Sequence, residues 1–255
     1  MSPQYTSLKE AVEKTIAGGG KSLIVIGKPG SGKTTVLIGL LLLLFQNEIC
    51  IWRGLRSAQE FRFPGPVKVL AYQCHPKFYD IGGNELDIKV NIINTSFDDL
   101  LRACELGKLN AVYFPFERER AYWIQFSKFV NERFQVNYAS PYVSIFFDEV
   151  EDLVPAPEAG TAKDVRTMLE YLKGFRKTLT SFYCATQQYF DIHYRALGKI
   201  MFKIYLKGAY VSKRDPVLDI DAVQALPLGR GIFTGSAYQY FVFANHPPEQ
   251  LIIVR

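Results

Sequence analysis

The chain has 255 residues and a formal net charge of +5, with 48% hydrophobic and 22% charged residues. That length can bury one large core, and the composition excludes a disordered or collagen-like chain, because the apolar share is that of an ordinary globular protein. The mild positive charge permits a polyanionic partner without requiring one, since many enzymes are as basic.

The N-terminal segment has no apolar core of the signal-peptide type. Ser7 and Glu10 have the spacing of a capping box, Leu8, Val12 and Ile16 share a helical face, and Gly18 to Gly20 end the predicted helix. Residues 22–26, SLIVI, form a β-branched run of the kind that fills central parallel strands. GKPGSGKT follows over 27–34. Its spacing, G-x-x-x-x-G-K-[ST] between a strand and a helix, is that of a phosphate-cradling loop. The predicted nucleotide-binding residues are Gly27, Lys28, Pro29, Gly30, Ser31, Gly32, Lys33, Thr34 and Thr35. Glycines let backbone N–H groups close on a β-phosphate, and the helix N-terminus adds its dipole. Lys33 is expected to reach the β- and γ-phosphates of ATP, and the Thr34 hydroxyl to ligate Mg²⁺. The greasy stretch at 36–45 is ten residues long. A bilayer needs about 20, so this stretch is predicted as a helix buried against a sheet rather than a membrane span.

Cys50, Cys74, Cys104 and Cys184 lie far apart with no CxxC pair, and they read as reduced thiols of a cytoplasmic protein. Strands are predicted at 67–72, 88–93 and 111–114, and helices over 97–105 and 119–134. YVSIFFDEVEDL, residues 142–153, then supplies a strand over 143–147 ending in Asp148 and Glu149. Two adjacent acids at a strand end read alone as a solvated turn. Beside a phosphate loop they read as a Walker B pair, Asp148 holding Mg²⁺ through water and Glu149 polarising the attacking water. Glu151 and Asp152 are expected at the surface, and VPAPEAG, residues 154–160, is a proline-broken loop.

A helix over 161–177 carries Lys163, Arg166, Lys173, Arg176 and Lys177. The strand at 181–185 brings Thr186 and Gln187 to its C-terminal edge, where ligands of parallel α/β sheets bind. An amide there either senses a γ-phosphate or caps the strand. Further strands are predicted at 199–206, 231–233 and 238–243. Arg195, Lys199, Lys203, Lys207, Lys213 and Arg214 continue the basic stretch, which suits a phosphate-tracking channel or a solvated face. The predicted fold class is α/β: a doubly wound, mostly parallel sheet of the P-loop NTPase kind with an antiparallel C-terminal edge. It is read as one domain, with an N-terminal helix (1–20), a nucleotide-binding core (21–206) and a strand pair with tail (207–255).

In order, the P-loop, the Asp-Glu strand, GFRK at 174–177 and ATQ at 185–187 resemble the FtsK/HerA superfamily of DNA-pumping ATPases, which includes conjugative coupling proteins and viral packaging motors. Arg176 precedes Gln187 by 11 residues, an interval like that of the family. YQCHPKF (72–78) and LPLGRGIFTG (226–235) add weaker likenesses, so that the resemblance spans most of 22–243. His75 and Leu179 depart from the family pattern, and no role is carried over to them. The resemblance implies ATP hydrolysis with Mg²⁺, in which Lys33, Glu149 and Gln187 act and Arg176 reaches a phosphate across a subunit boundary; a helix C-cap is the plainer reading of Arg176. It also implies sequence-independent binding of double-stranded DNA and a ring of copies, a hexamer. The layout is nearest to packaging ATPases of membrane-containing viruses, particularly archaeal ones, with a capsid or membrane vertex as partner and the host cytoplasm or virion as location. Two rivals are an AAA+ initiator or loader and a Zot-like phage assembly ATPase. The first usually carries a helical lid where this chain reads as strands, and the second a transmembrane helix.

Overall fold

The structure is a computed structural model and describes residues 4–134, 141–156, 162–174, 177–211, 219–235, 237–244 and 251–255. Strand β1 (Tyr5–Ser7) turns into helix α1 (Leu8–Ile16) at Ser7, whose hydroxyl accepts the Glu10 N–H while the Glu10 carboxylate accepts the Ser7 N–H. This reciprocal cap contributes about 1 kcal/mol to the helix start. β2 (Ser22–Ile26) leads through the glycine-rich loop into α2 (Lys33–Leu44). β3 (Glu48–Arg53), β4 (Val67–Tyr72), β5 (Phe78–Tyr79), β6 (Glu85–Leu86) and β7 (Val90–Ile93) follow. Next come α3 (Phe97–Ala103), β8 (Leu109–Tyr113), α4 (Glu119–Phe134) and β9 (Tyr142–Phe147). The remaining elements are α5 (Ala162–Gly174), β10 (Thr180–Thr186), α6 (Tyr194–Leu197), β11 (Phe202–Leu206), α7 (Ile220–Gln224), β12 (Arg230–Thr234), β13 (Tyr238–Val242) and β14 (Ile253–Val254).

Among the described residues, eleven strands join one sheet in the order β1-β13-β12-β11-β2-β10-β9-β3-β8-β4-β7. Within this sheet only the β11–β12 and β12–β13 pairs are antiparallel, which bears out the predicted doubly wound sheet and its antiparallel C-terminal edge. β14, β5 and β6 make a small antiparallel sheet. Side chains of β2 alternate between two cores, as strand geometry requires. Leu23 and Val25 join α1 and α2 residues such as Val12, Leu37 and Leu41 on one side, while Ile24 and Ile26 join Trp123, Met168 and Leu172 of α4 and α5 on the other. A helix packed on a sheet and flanked by another helix has little wet face, which is why α2 tolerates its leucine run. Among the described residues no helix is long and apolar enough to cross a membrane, and all four cysteines are free.

The structure corrects several boundaries and adds elements. The strand expected from 199 starts at Phe202, that expected from 88 starts at Val90, and the helix expected over 97–105 ends at Ala103. β3 was not predicted, because EICIWR follows the leucine run after only a short polar break and merges with it in hydropathy. Its first residue, Glu48, is buried and accepts the hydroxyl proton of Ser144 on β9. β1, β5, β6 and β14 have two or three residues each, too few to show a period.

Glu60, in a short 3₁₀ turn (Gln59–Arg62), is fully buried and accepts the Tyr113 hydroxyl. Burial pushes its carboxyl up to about 7, against the opposing effect of the Tyr113 bond. The folded state therefore holds a proton between the ordinary carboxylate range and about 7 that the unfolded chain has released, so stability falls as pH rises through that window. Glu60→Gln keeps an acceptor for Tyr113 without the charge. Its melting temperature should exceed the parent's by about 5 °C at pH 8, with the gap closing by pH 4.5. Parallel melting curves across that range would refute the assignment.

Candidate functional site

The glycine-rich loop leaves β2 at the centre of the sheet, between β11 and β10. Gly32, the residue before α2, has φ of 95°, a left-handed conformation that a side chain resists. At Gly27 a Cβ would lie 2.4 Å from the Ser31 hydroxyl oxygen and 3.0 Å from the Leu206 Cβ, so any side chain there would crowd the loop. Inside that curl the Ser31 hydroxyl is buried with no hydrogen-bond partner among the described residues. An orphaned donor in a concavity at a helix N-terminus fits a phosphate oxygen. Lys33 folds back over the loop, its ammonium donating to the Lys28 carbonyl at 3.1 Å. Burial lowers its proton affinity, while Asp148, Glu151 and Glu149 raise it. Lys28, Pro29 and Gly30 form the exposed tip.

β10 lies between β2 and β9, and three strand ends converge there. The Gly27 N–H donates to the Thr186 carbonyl at 3.3 Å, tying the loop to the end of β10. From the end of β9, buried Asp148 accepts the Thr34 hydroxyl at 2.6 Å. The two predicted Mg²⁺-binding groups, 114 positions apart in sequence, thus point at one spot. A hydroxyl and a carboxylate so placed are the hard oxygen donors that suit Mg²⁺. Gln187 follows Thr186, and its backbone N–H donates to a Glu151 carboxylate oxygen at 3.4 Å. Glu151, expected at the surface, is partly buried in the site, where burial raises its carboxyl above the usual range. The reversal arises because the turn after β9 is a 3₁₀ helix (Val150–Asp152) that swings Glu151 toward β10 and leaves Asp152 outward. Arg176 lies outside the described residues, as do 157–160 of the proline-broken loop.

Glu149 adopts φ 57° and ψ 56°. A left-handed non-glycine residue costs about 1–2 kcal/mol and persists only where its surroundings hold it. Here the holder is Arg53, at the end of β3, which is 2% exposed. Its guanidinium donates to the Glu149 carbonyl at 3.0 Å and the Asp148 carbonyl at 3.4 Å. The remaining donors reach Glu119 at 2.6 Å and Asp152 at 3.1 Å. Burial works against this charge, but the Glu119 and Asp152 carboxylates outweigh it, and Arg53 holds its proton more tightly than usual. The Glu149 carboxyl is raised by desolvation, then by the like charges of Asp148 and Asp152, with Arg53 and Lys33 opposing. A carboxylate raised in this way is a better proton acceptor than a free one.

Sequence reasoning missed Arg53, Glu119, Glu151 and Arg62, whose guanidinium donates to the Thr35 hydroxyl at 3.1 Å. The one available signal was an arginine closing an apolar run, a placement that puts a charge at a strand end.

By sequence, no family model and no curated protein matches the chain. Its fold matches solved structures. The genome packaging NTPase B204 from Sulfolobus turreted icosahedral virus 2, in complex with AMP, aligns over 88% of this chain and 98% of its own with a TM-score of 0.55 and 13% identity. The bacterial conjugative coupling protein TrwBdeltaN70, in complex with sulphate, aligns over 98% and 92% with a TM-score of 0.57 and 11% identity. The pCW3 conjugation coupling protein TcpA with ATPγS aligns over 89% and 62% with a TM-score of 0.50 and 14% identity. The chain therefore has the fold of P-loop ATPases, and the three neighbours described are of the two kinds, packaging and coupling, that its motif order resembles.

Proposed function

We propose that the chain hydrolyses ATP and uses the turnover to move double-stranded DNA through a hexameric ring of its own copies, in viral genome packaging. The observation that carries the reading is the 2.6 Å bond between Thr34 and Asp148, which closes the phosphate loop onto the acidic strand end with Glu149 next in line. Mg²⁺, held by the Thr34 hydroxyl and through water by Asp148, would supply charge neutralisation at the phosphate oxygens. Lys33, released from the Lys28 carbonyl, pairs with the β- and γ-phosphates. Glu149 takes the proton of the attacking water, Arg53 holds the Glu149 backbone in its left-handed turn, and Gln187, tied to Glu151, stands at the strand end where a γ-phosphate is sensed. The genome packaging NTPase and the conjugation coupling proteins that share the fold support a DNA substrate.

A crowd of cations supports it too. Partial desolvation, then the neighbouring Lys173 and Arg195, lower the proton affinity of Lys199, a repulsion that a polyanion would relieve. Contacts to a moving duplex must be to phosphate, so binding should show little base preference and weaken about 10³-fold between 50 and 200 mM salt. ATP turnover measured with and without long duplex DNA, over that salt range, tests the reading. Tight binding to one defined site, with random duplex ignored, would favour an initiator instead. Arg176 is the proposed residue acting across the subunit boundary: Arg176→Ala should be inactive alone and regain part of its turnover when mixed with Lys33→Ala, whereas full activity alone leaves it a helix cap. Docking to a capsid or membrane vertex, in the host cytoplasm or the virion, completes the proposal.

A further inference from the structure

A groove of about 880 Å³ runs along the outer face of α2, from the end of the phosphate loop toward Leu42. Its near end reaches the first turn of α2, directly after the loop. Thr35, immediately after the Mg²⁺-facing Thr34, lines it and accepts from Arg62 at 3.1 Å. Phe243, just past β13, forms the opposite wall, and its ring presses on the loop so closely that a Cβ on Gly32 would lie 2.6 Å from it. Ile38, Leu42 and Phe61 make most of the rest apolar. Lys9 and Arg62 bring the charge, both cationic, and none of the described lining residues is acidic.

From this continuity we propose that the near end of the groove seats the purine of the bound nucleotide, with Phe243 as its stacking wall and Arg62 at the ribose and α-phosphate end. The inference rests on the nucleotide-binding reading above. A ligand anchored by its phosphates at Lys33 and Thr34 has to place its remaining part beside Thr35, and an apolar, aromatic-walled cleft accepts a flat heterocycle. Stacking ranks bases by ring area rather than by edge. Guanine differs from adenine in N–H donors that a carboxylate would read, and no carboxylate lines the groove among the described residues. The site therefore accepts ATP and GTP nearly alike and favours both over pyrimidine triphosphates.

Calorimetric titration of the full chain with the Mg²⁺ complexes of ATP, GTP, CTP and inorganic tripolyphosphate tests this. ATP and GTP should bind within about fivefold of each other and about tenfold more tightly than tripolyphosphate, a gap of about 1.4 kcal/mol supplied by the stacked base. Phe243→Ala should weaken ATP and GTP about tenfold and leave tripolyphosphate unchanged, and Phe243→Tyr should restore the parent values. Unchanged ATP binding in Phe243→Ala overturns the inference and points to another occupant of the groove, such as a protein segment. Equal losses for ATP and tripolyphosphate also overturn it, since Phe243 would then only support the loop. If the parent binds tripolyphosphate as tightly as ATP, the nucleotide reading stands without a base seat; if it binds neither, both readings fall.

Discussion

Glu149→Gln is expected to bind ATP as the parent does while its turnover falls by about 10²-fold or more. The amide is nearly isosteric and leaves Lys33, Thr34 and Asp148 in place, so the groups that hold phosphate and cation are untouched. What it removes is the proton acceptor. Because desolvation and the charges of Asp148 and Asp152 raise the Glu149 carboxyl, parent turnover should climb with pH through a midpoint above that of an ordinary glutamate as the base deprotonates. That acid limb should vanish in the variant. Stopped turnover together with retained binding of a nonhydrolysable nucleotide is the pattern to look for; near-parent turnover would remove Glu149 from the chemistry.

The second large effect is expected at Arg53. Arg53→Met fills similar volume but leaves Glu119 without its 2.6 Å partner and releases the carbonyls of Asp148 and Glu149. Removing one member of a buried ion pair typically destabilises by about 3–5 kcal/mol, to be read by denaturant unfolding. In what remains folded, Glu149 is free to leave its left-handed conformation, so kcat should drop at least tenfold with little change in KM. Arg53→Lys separates the two roles, because an ammonium keeps the charge near Glu119 without the planar fork that reaches both carbonyls. It should recover part of the stability and little of the turnover. Loss of Arg53's charge should also shift the acid limb of the pH profile upward, since that charge opposes the raised Glu149 carboxyl. A purely structural arginine would leave kcat and that limb unmoved once folding is accounted for.

Much of the site was legible along the chain because its parts are local. The spacing of Gly27, Gly32, Lys33 and Thr34 encodes a loop whose curvature, glycine conformations and helix start are complete within eight residues. The β-branched run of β2, the leucine face of α2, the Ser7–Glu10 cap and the strand ending in Asp148 and Glu149 are likewise set by near neighbours. Strand order is another matter. β10 enters between β2 and β9, and β3 flanks β9 on its far side, through pairings made between segments distant in the chain. That order alone puts Arg53 under the carbonyls of Asp148 and Glu149, and the turn after β9 then carries Glu151 to Gln187. Phe243 reaches Gly32 only because β13 closes the edge to which β1 also pairs. An isolated arginine, glutamate or phenylalanine has no periodicity to betray its neighbour, so residue types and spacing determined which groups bind phosphate, while packing across the sheet decided which residues hold those groups in place.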